Sequence, residues 1–155
     1  MTMRDPTAAA RAIVDANLYM VLGTADREGR PWAAPVYFAH AGYRDFFWVS
    51  SPDARHSRNI GSRSDVSVVI FDSSVPIGTG QGVYMSCSAQ ELTGGEREPA
   101  VETFSRRGVG HGGRPWSLAD VEPPAAHRLY RATALEQYVL DEHDRRLGVV
   151  LRGSS

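Results

Sequence analysis

Along most of the chain, apolar and polar positions alternate in short runs closed off by polar turns. "YMVLGTAD" (19–26) and "PWAAPVYFAHA" (31–41), joined by "REGR", predict two strands of a hairpin with a glycine in its turn. A second turn around Gly42 leads into "DFFWVSS" (45–51), and "DVSVVIFD" (65–72) follows; both are rich in aromatic and β-branched residues. "QGVYMSCSAQELT" (81–93) alternates over enough positions for a fifth, longer strand, and "HRLYRATALEQYVLDEHDRRLGVVLR" (127–152) predicts two more segments around the polar turn "DEHD".

The alternation fails in three places. At the N-terminus, Ala9, Ile13, Val14 and Leu18 follow helical spacing, with Asp5 able to cap and Pro6 at the first helical position, so a helix is predicted within residues 1–17. "GGEREPAVETFSRR" (94–107) is read as a second helix. "GVGHGGRPW" (108–116), with four glycines in nine residues, is expected to form a loop or lid. Ser117 with Asp120 three residues on resembles a capping box, and Pro123 and Pro124 end the short turn it starts. Consecutive strands, hairpin connections and few helices predict a mainly β fold: an antiparallel sheet closed into a barrel with peripheral helices, in one domain spanning residues 1–155 and ending in a disordered tail, 152–155.

Composition narrows the chemistry. The 155 residues carry a formal net charge of -1, so no global attraction to nucleic acid or to an anionic membrane surface is expected. No apolar run is long enough for a bilayer span and no signal peptide is visible, which predicts a cytoplasmic protein. All 17 basic residues are arginine, which excludes a lysine Schiff base and a Walker phosphate loop. Cys87 is the only cysteine and is read as a buried small hydrophobe rather than a reactive thiol; with no metal-ligand spacing among the five histidines, no metal site is expected. A serine-hydrolase elbow is absent.

One local excess of charge stands out. After the strand ending in Ser50 and Ser51, Pro52 makes a turn and "DARHSRNI" can form a short helix, bringing Arg55, His56, Ser57 and Arg58 to its first turn. Exposed amides, hydroxyls and a guanidinium fork suit a phosphate dianion. The same spacing also fits a solvated turn in which Arg55 and Arg58 pair with Asp53, and spacing alone leaves both open.

The order of the pieces resembles a known family. A glycine turn precedes a "P-x-x-x-P-V-[YW]-F" strand; an aromatic strand ending in serine, then "R-H-S-R-N-I" and "D-V-S-V-V", follow, and "GQGVYMSCSAQELTG" comes after them. This series, over roughly residues 8–94, resembles the pyridoxamine 5'-phosphate oxidase-like family of flavin-binding split barrels. The resemblance implies a six-stranded antiparallel Greek-key split barrel, working as a homodimer with flavin mononucleotide (FMN) at the interface. It implies that Pro35, Val36, Tyr37 and Phe38 run beside the ring system. Ser50, Ser51, Arg55, His56 and Ser57 would surround the phosphate, Val49 and Arg58 would also belong to the cofactor site, and Gln81 would lie near the flavin. Many relatives place a lysine in the phosphate site; here Arg55 or Arg58 must replace it. The expected function is an oxidoreductase acting on a small planar substrate. The family's founding oxidase activity is not expected, because the C-terminal region lacks a match to its arginine-and-histidine pair. Two alternatives keep the fold: the deazaflavin F420, whose polyanionic tail would need Arg106, Arg107 and Arg114, or a non-catalytic flavin or haem binder. In the glycine-rich segment, His111 could give a proton to substrate, and Arg114 and Trp116 could cover the site; an exposed loop histidine and a loop anchor are the competing readings.

Overall fold

The structure is a computed structural model that describes residues 5–151, so the ends of the chain, including the expected tail, lie outside the described residues. Helix α1 spans Pro6–Ala16 and starts where the sequence indicates: the Asp5 carboxylate accepts hydrogen bonds from the amides of Thr7 and Ala8, at 3.1 and 3.2 Å. Six long strands follow the predicted segments: β1 (Tyr19–Ala25), β2 (Pro31–Tyr37), β4 (Asp45–Ser50), β5 (Asp65–Phe71), β6 (Gly82–Glu91) and β7 (Arg128–Leu140). Two three-residue strands complete the sheet: β3 (Ala39–Ala41), directly after β2, and β8 (Arg146–Gly148), after the "DEHD" turn. The helices are α2 (Arg55–Ser62) and α3 (Arg97–Gly110).

All pairings are antiparallel, in the order β2-β1-β5-β6-β7-β4-β3, with β8 on β7. The first and last members of that order are separated in sequence by Phe38 alone, so one bent strand pairs with β1 through its first half and with β4 through its second. That bend curls the sheet on itself. Phe38 is fully buried, and its amide donates to the Leu18 carbonyl at 3.2 Å. Arg107 of α3 fixes the bend from outside: its guanidinium donates to the carbonyls of Phe38 and, at 2.7 Å, Asn17, and lies 4.6 Å from the Phe38 ring centroid.

Two apolar clusters explain which residues are covered. Inside the barrel, Met20, Leu22, Phe46, Trp48, Val68, Ile70, Val83 and Tyr130 pack with Ala10 and Val14 of α1. On the other side of β4, Phe47 packs with Val101 and Phe104 of α3 and with Leu129. Phe46, Phe47 and Trp48 are therefore all buried, which strict alternation would not allow for a sheet with one wet face.

Helix α3 is longer than the glycine content suggests. It continues through Gly108, Val109 and Gly110, and the expected loop is confined to the turn at His111 and Gly112 and the segment after it. Gly108 faces the Tyr37 ring, where an added Cβ would sit in ordinary contact at 3.8 Å. The capping box at Ser117 and Asp120 is formed as predicted, at the start of a short 3-10 turn, Leu118–Val121.

The turn between β3 and β4 places both Gly42 and Tyr43 at positive φ (+61° and +56°), a mirror-image hairpin turn that is unusual with tyrosine at its second position. Side chains hold it. The Tyr43 amide donates to His40 Nδ1 at 3.1 Å, the Tyr43 hydroxyl donates to Asp15, and His40 Nε2 lies 3.2 Å from the same carboxylate.

Candidate functional site

The end of β4 and the start of α2 bring six of the sequence-derived site residues together. Ser50 Oγ lies 2.9 Å from His56 Nε2, and the Ser57 hydroxyl donates to the Ser51 carbonyl at 2.7 Å. These two bonds lock the first turn of α2 onto the strand end. The N-cap residue is Ala54, which offers no side-chain acceptor, so no side chain caps the first amides of α2, in contrast to those of α1. Arg55 and Arg58 are exposed and, among the described residues, neither forms an ion pair; Asp53 turns its backbone to Ser51 instead. The solvated turn with internal arginine-aspartate pairs is thus not what forms. Arg55 stacks on the Trp32 ring with its guanidinium 4.7 Å from the centroid, so β2 fixes the direction of that charge. Trp32 was not among the residues singled out from sequence, and only the spatial meeting of β2 with α2 reveals its part.

Asn59, one turn further on, anchors α2 from below. It is 6 % exposed and donates to the Thr24 hydroxyl at 3.0 Å. Burial holds the His56 imidazole below its ordinary value of 6.5, so it is neutral near pH 7. His40 is held down in the same way, burial outweighing the Asp15 carboxylate beside it.

These shifts give a testable pH dependence. Both imidazoles resist protonation when folded but take protons near 6.5 when unfolded, so their stabilising contribution is complete above 6.5 and is lost as pH falls through the lowered folded values. Thermal melting should be level between pH 8 and 7 and decline below 6.5. A His40→Asn variant, whose side-chain oxygen can still accept from the Tyr43 amide, should decline less steeply.

The remaining sequence-derived residues divide. Pro35 is exposed on the outer face and Tyr37 is half-buried there, edge-on to Phe104 with 5.4 Å between centroids. Val36 and Phe38 face the core, so their side chains are not available to a ligand on that face. Val49 is half-buried against the α3 cluster. Gln81 is at the opposite end of the sheet: its amide nitrogen donates to the Leu140 carbonyl at 2.8 Å and its oxygen accepts from the Gly82 amide at 3.0 Å. Within one chain it does not meet the α2 cluster. His111 is exposed at the end of α3, with Nδ1 2.9 Å from the Arg107 carbonyl. Trp116 packs edge-on against Phe104 and His127, and its amide donates to Ser105 at 2.8 Å, while Arg114 stacks on its outer face at 3.6 Å. This is the contact pattern of an anchor for the segment after α3. Cys87 is buried, and burial pushes its thiol up to about 12, which keeps it protonated near pH 7.

Beside the α2 cluster, the outer face of the sheet carries an open groove of about 820 Å³, lined by Trp32 and Ala33 of β2, Gly23 and Ala25 of β1, Ser67 of β5, Ser86 of β6 and Leu135 of β7. Its floor is made of small side chains in register: Ala33, Gly23, Ser67 and Ser86 lie on paired positions. A Cβ on Gly23 would sit 2.5 Å from the Ser67 hydroxyl oxygen, so with a larger residue at 23 the Ser67 hydroxyl would have to turn away. The neighbouring row, Pro35, Val21, Val69 and Tyr84, is apolar across four strands. Among the described residues no cluster of three or more His, Cys, Asp or Glu side chains could hold a metal, and no helix is long and apolar enough to cross a membrane.

Comparisons with known proteins place this architecture. No curated protein matches the sequence. Among solved structures, a haem binding protein from Mycobacterium smegmatis superposes with a TM-score of 0.74 at 17% identity, over 96% of this chain and 59% of that one; the present chain thus spans well under two thirds of that protein's length. HutZ, a haem storage protein from Vibrio cholerae, gives 0.66 at 17% identity, over 83% of this chain and 90% of that one. A protein related to general stress protein 26, of the pyridoxinephosphate oxidase family, from Clostridium acetobutylicum gives 0.63 at 11% identity, over 92% of both chains. Such identities carry the fold alone. The sequence model of pyridoxamine 5'-phosphate oxidase, by contrast, matches residues 6–139, which takes in every strand from β1 to β6 and nearly all of β7. With the split barrel and the sequence match in agreement, this chain belongs to the pyridoxamine 5'-phosphate oxidase family.

Proposed function

We propose that the protein binds flavin mononucleotide and acts, as a homodimer, as an oxidoreductase on a small planar substrate. The α2 cluster carries this reading: helix amides that no side chain caps, the Ser50 and Ser51 hydroxyls, and two arginines without acidic partners among the described residues make a donor set suited to a phosphate dianion, while Ser57 holds the turn to the strand end. The residues fit the group. Arg55, Arg58 and the first turn of α2 would hold the phosphate, and the small-residue groove leading away past Trp32 offers a flat floor to a planar ring. A bound flavin would supply the redox chemistry, so the chain's own task is to hold the phosphate, position the ring and exclude water. A second copy of the chain would cover the apolar row Pro35, Val21, Val69 and Tyr84. Only across such a dimer could Gln81 approach a flavin held by the other chain.

The F420 reading is less well supported. Arg107 is engaged with two backbone carbonyls, Arg106 pairs with Glu102 at 3.4 Å, and Arg114 stacks on Trp116 and pairs with Asp120 at 3.6 Å. The names of two structural neighbours keep haem as the competing cofactor. An absorbance spectrum of the purified protein, followed by titration with FMN and with haem, distinguishes them. Arg55→Ala should weaken FMN binding about ten- to a hundredfold, as expected for losing a charge-assisted phosphate contact of roughly 1.5–3 kcal/mol. An unchanged dissociation constant would refute the site, and haem uptake in place of FMN would overturn the cofactor.

A further inference from the structure

A second cavity, of about 410 Å³, lies between β7, β8 and the β3–β4 turn, lined by Arg44, Leu135, Glu136, Gln137, Tyr138 and Arg146 with the backbone after β8. Its position coincides with an irregularity. The pairing of β6 with β7 runs Ser86↔Glu136 and then Cys87↔Ala134, so Leu135 is an inserted bulge residue, and its side chain is 65% exposed. Bulges re-aim side chains and cluster beside binding sites.

Two arginines, Arg44 and Arg146, line the cavity. Neither Arg44 nor Arg146 forms an ion pair among the described residues, whereas Arg30, Arg97, Arg106, Arg114 and Arg131 all do. Both are placed by the backbone around them. The turn bearing Arg44 is tied to the bulge by the Ala134 amide donating to the Arg44 carbonyl at 2.9 Å and by the Gln137 side chain donating to the Tyr43 carbonyl at 2.6 Å. Arg146 pairs in register with Leu140, and its guanidinium lies 5.2 Å from the centroid of Tyr138. Tyr138 is in turn stacked on Tyr84, with 5.5 Å between centroids and 8° between planes, which makes a firm aromatic surface. Glu136 is the single acid lining the cavity.

Two guanidiniums, one carboxylate and an aromatic wall select a specific chemistry. We propose that this cavity binds a small aromatic carboxylate: Arg44 and Arg146 take the carboxylate, Tyr138 packs against the ring, and Glu136 accepts from a donor group on it. The cavity shares Leu135 with the groove beside Trp32, but none of its charged groups belongs to the α2 cluster, so loss of Arg55 and loss of Arg44 or Arg146 can be read apart.

The test is calorimetric titration of the purified protein with 4-aminobenzoate, beside 4-aminobenzamide, which has the same shape without the charge. Saturable binding of the acid is expected, at least tenfold tighter than that of the amide. Arg44→Ala and Arg146→Ala should each weaken it about tenfold. Arg27→Ala, an exposed arginine outside the cavity, should leave it unchanged. The arginine variants should also melt and bind FMN as the parent does, and Arg55→Ala should keep its affinity for 4-aminobenzoate, so this site and the flavin site fail separately. No saturable binding, equal affinity for acid and amide, indifference to both cavity variants, or loss of binding in Arg55→Ala would each overturn the proposal.

Discussion

Trp48→Ala should lower the free energy of unfolding by about 3–5 kcal/mol, the cost of deleting a fully buried indole and leaving a cavity, and should drop Tm by roughly 10 °C or more. Trp48 is 0% exposed and stacks on Tyr130, its register partner on β7, with 5.7 Å between centroids and 14° between planes. Its indole nitrogen is buried without a hydrogen-bond partner among the described residues. Trp48→Phe should therefore cost far less than volume alone suggests, within about 1 kcal/mol, because it also removes an unsatisfied donor. Thermal melts of the two variants decide this. If phenylalanine is as damaging as alanine, the nitrogen is satisfied by a group such as an ordered water, and the stacking geometry matters more than the donor.

Arg107→Ala should cost about 3 kcal/mol, although the residue is only half-buried and sits on a peripheral helix. The substitution removes two charge-assisted bonds, to the carbonyls of Phe38 and Asn17, and a guanidinium over the Phe38 ring. Its neighbour supplies the control. Arg106 is exposed and pairs with Glu102 at 3.4 Å one turn away, so Arg106→Ala should change stability by no more than about 0.5 kcal/mol. Equal losses in denaturant melts would show that α3 contributes through its helix and not through the grip of Arg107 on the bend.

The contrast between these two arginines also marks how far sequence could reach. Local signals were legible: Asp5 before Pro6 starts α1, Ser117 and Asp120 close a capping box, and the β-branched and aromatic runs become strands at their expected places. Signals that depend on what lies across the chain were not. The glycines at 108 and 110 read as loop, yet the helix runs through both. The meeting of hydroxyls and arginines at the start of α2 was legible because β4, its turn and α2 are contiguous, so these side chains fall together without long-range information. Trp32, more than twenty residues upstream, joins it only through tertiary structure. Gln81 shows the reverse, since a glutamine before a strand carries no sign that its amide bridges to the end of β7. The inserted Leu135 is equally silent in sequence, because a bulge exists only relative to a partner strand.

The bend at Phe38 bears on how the protein survives in a crowded solution. One continuous segment occupies both ends of the pairing order, so the β2–β1 pairing at one end and the β3–β4 pairing at the other are joined covalently. Severing the chain between Tyr37 and Ala39 would leave each register intact on paper, but two strand edges would then be able to part, each a template for a foreign strand. The link through Phe38, with Arg107 holding its carbonyl, is what keeps those two edges together.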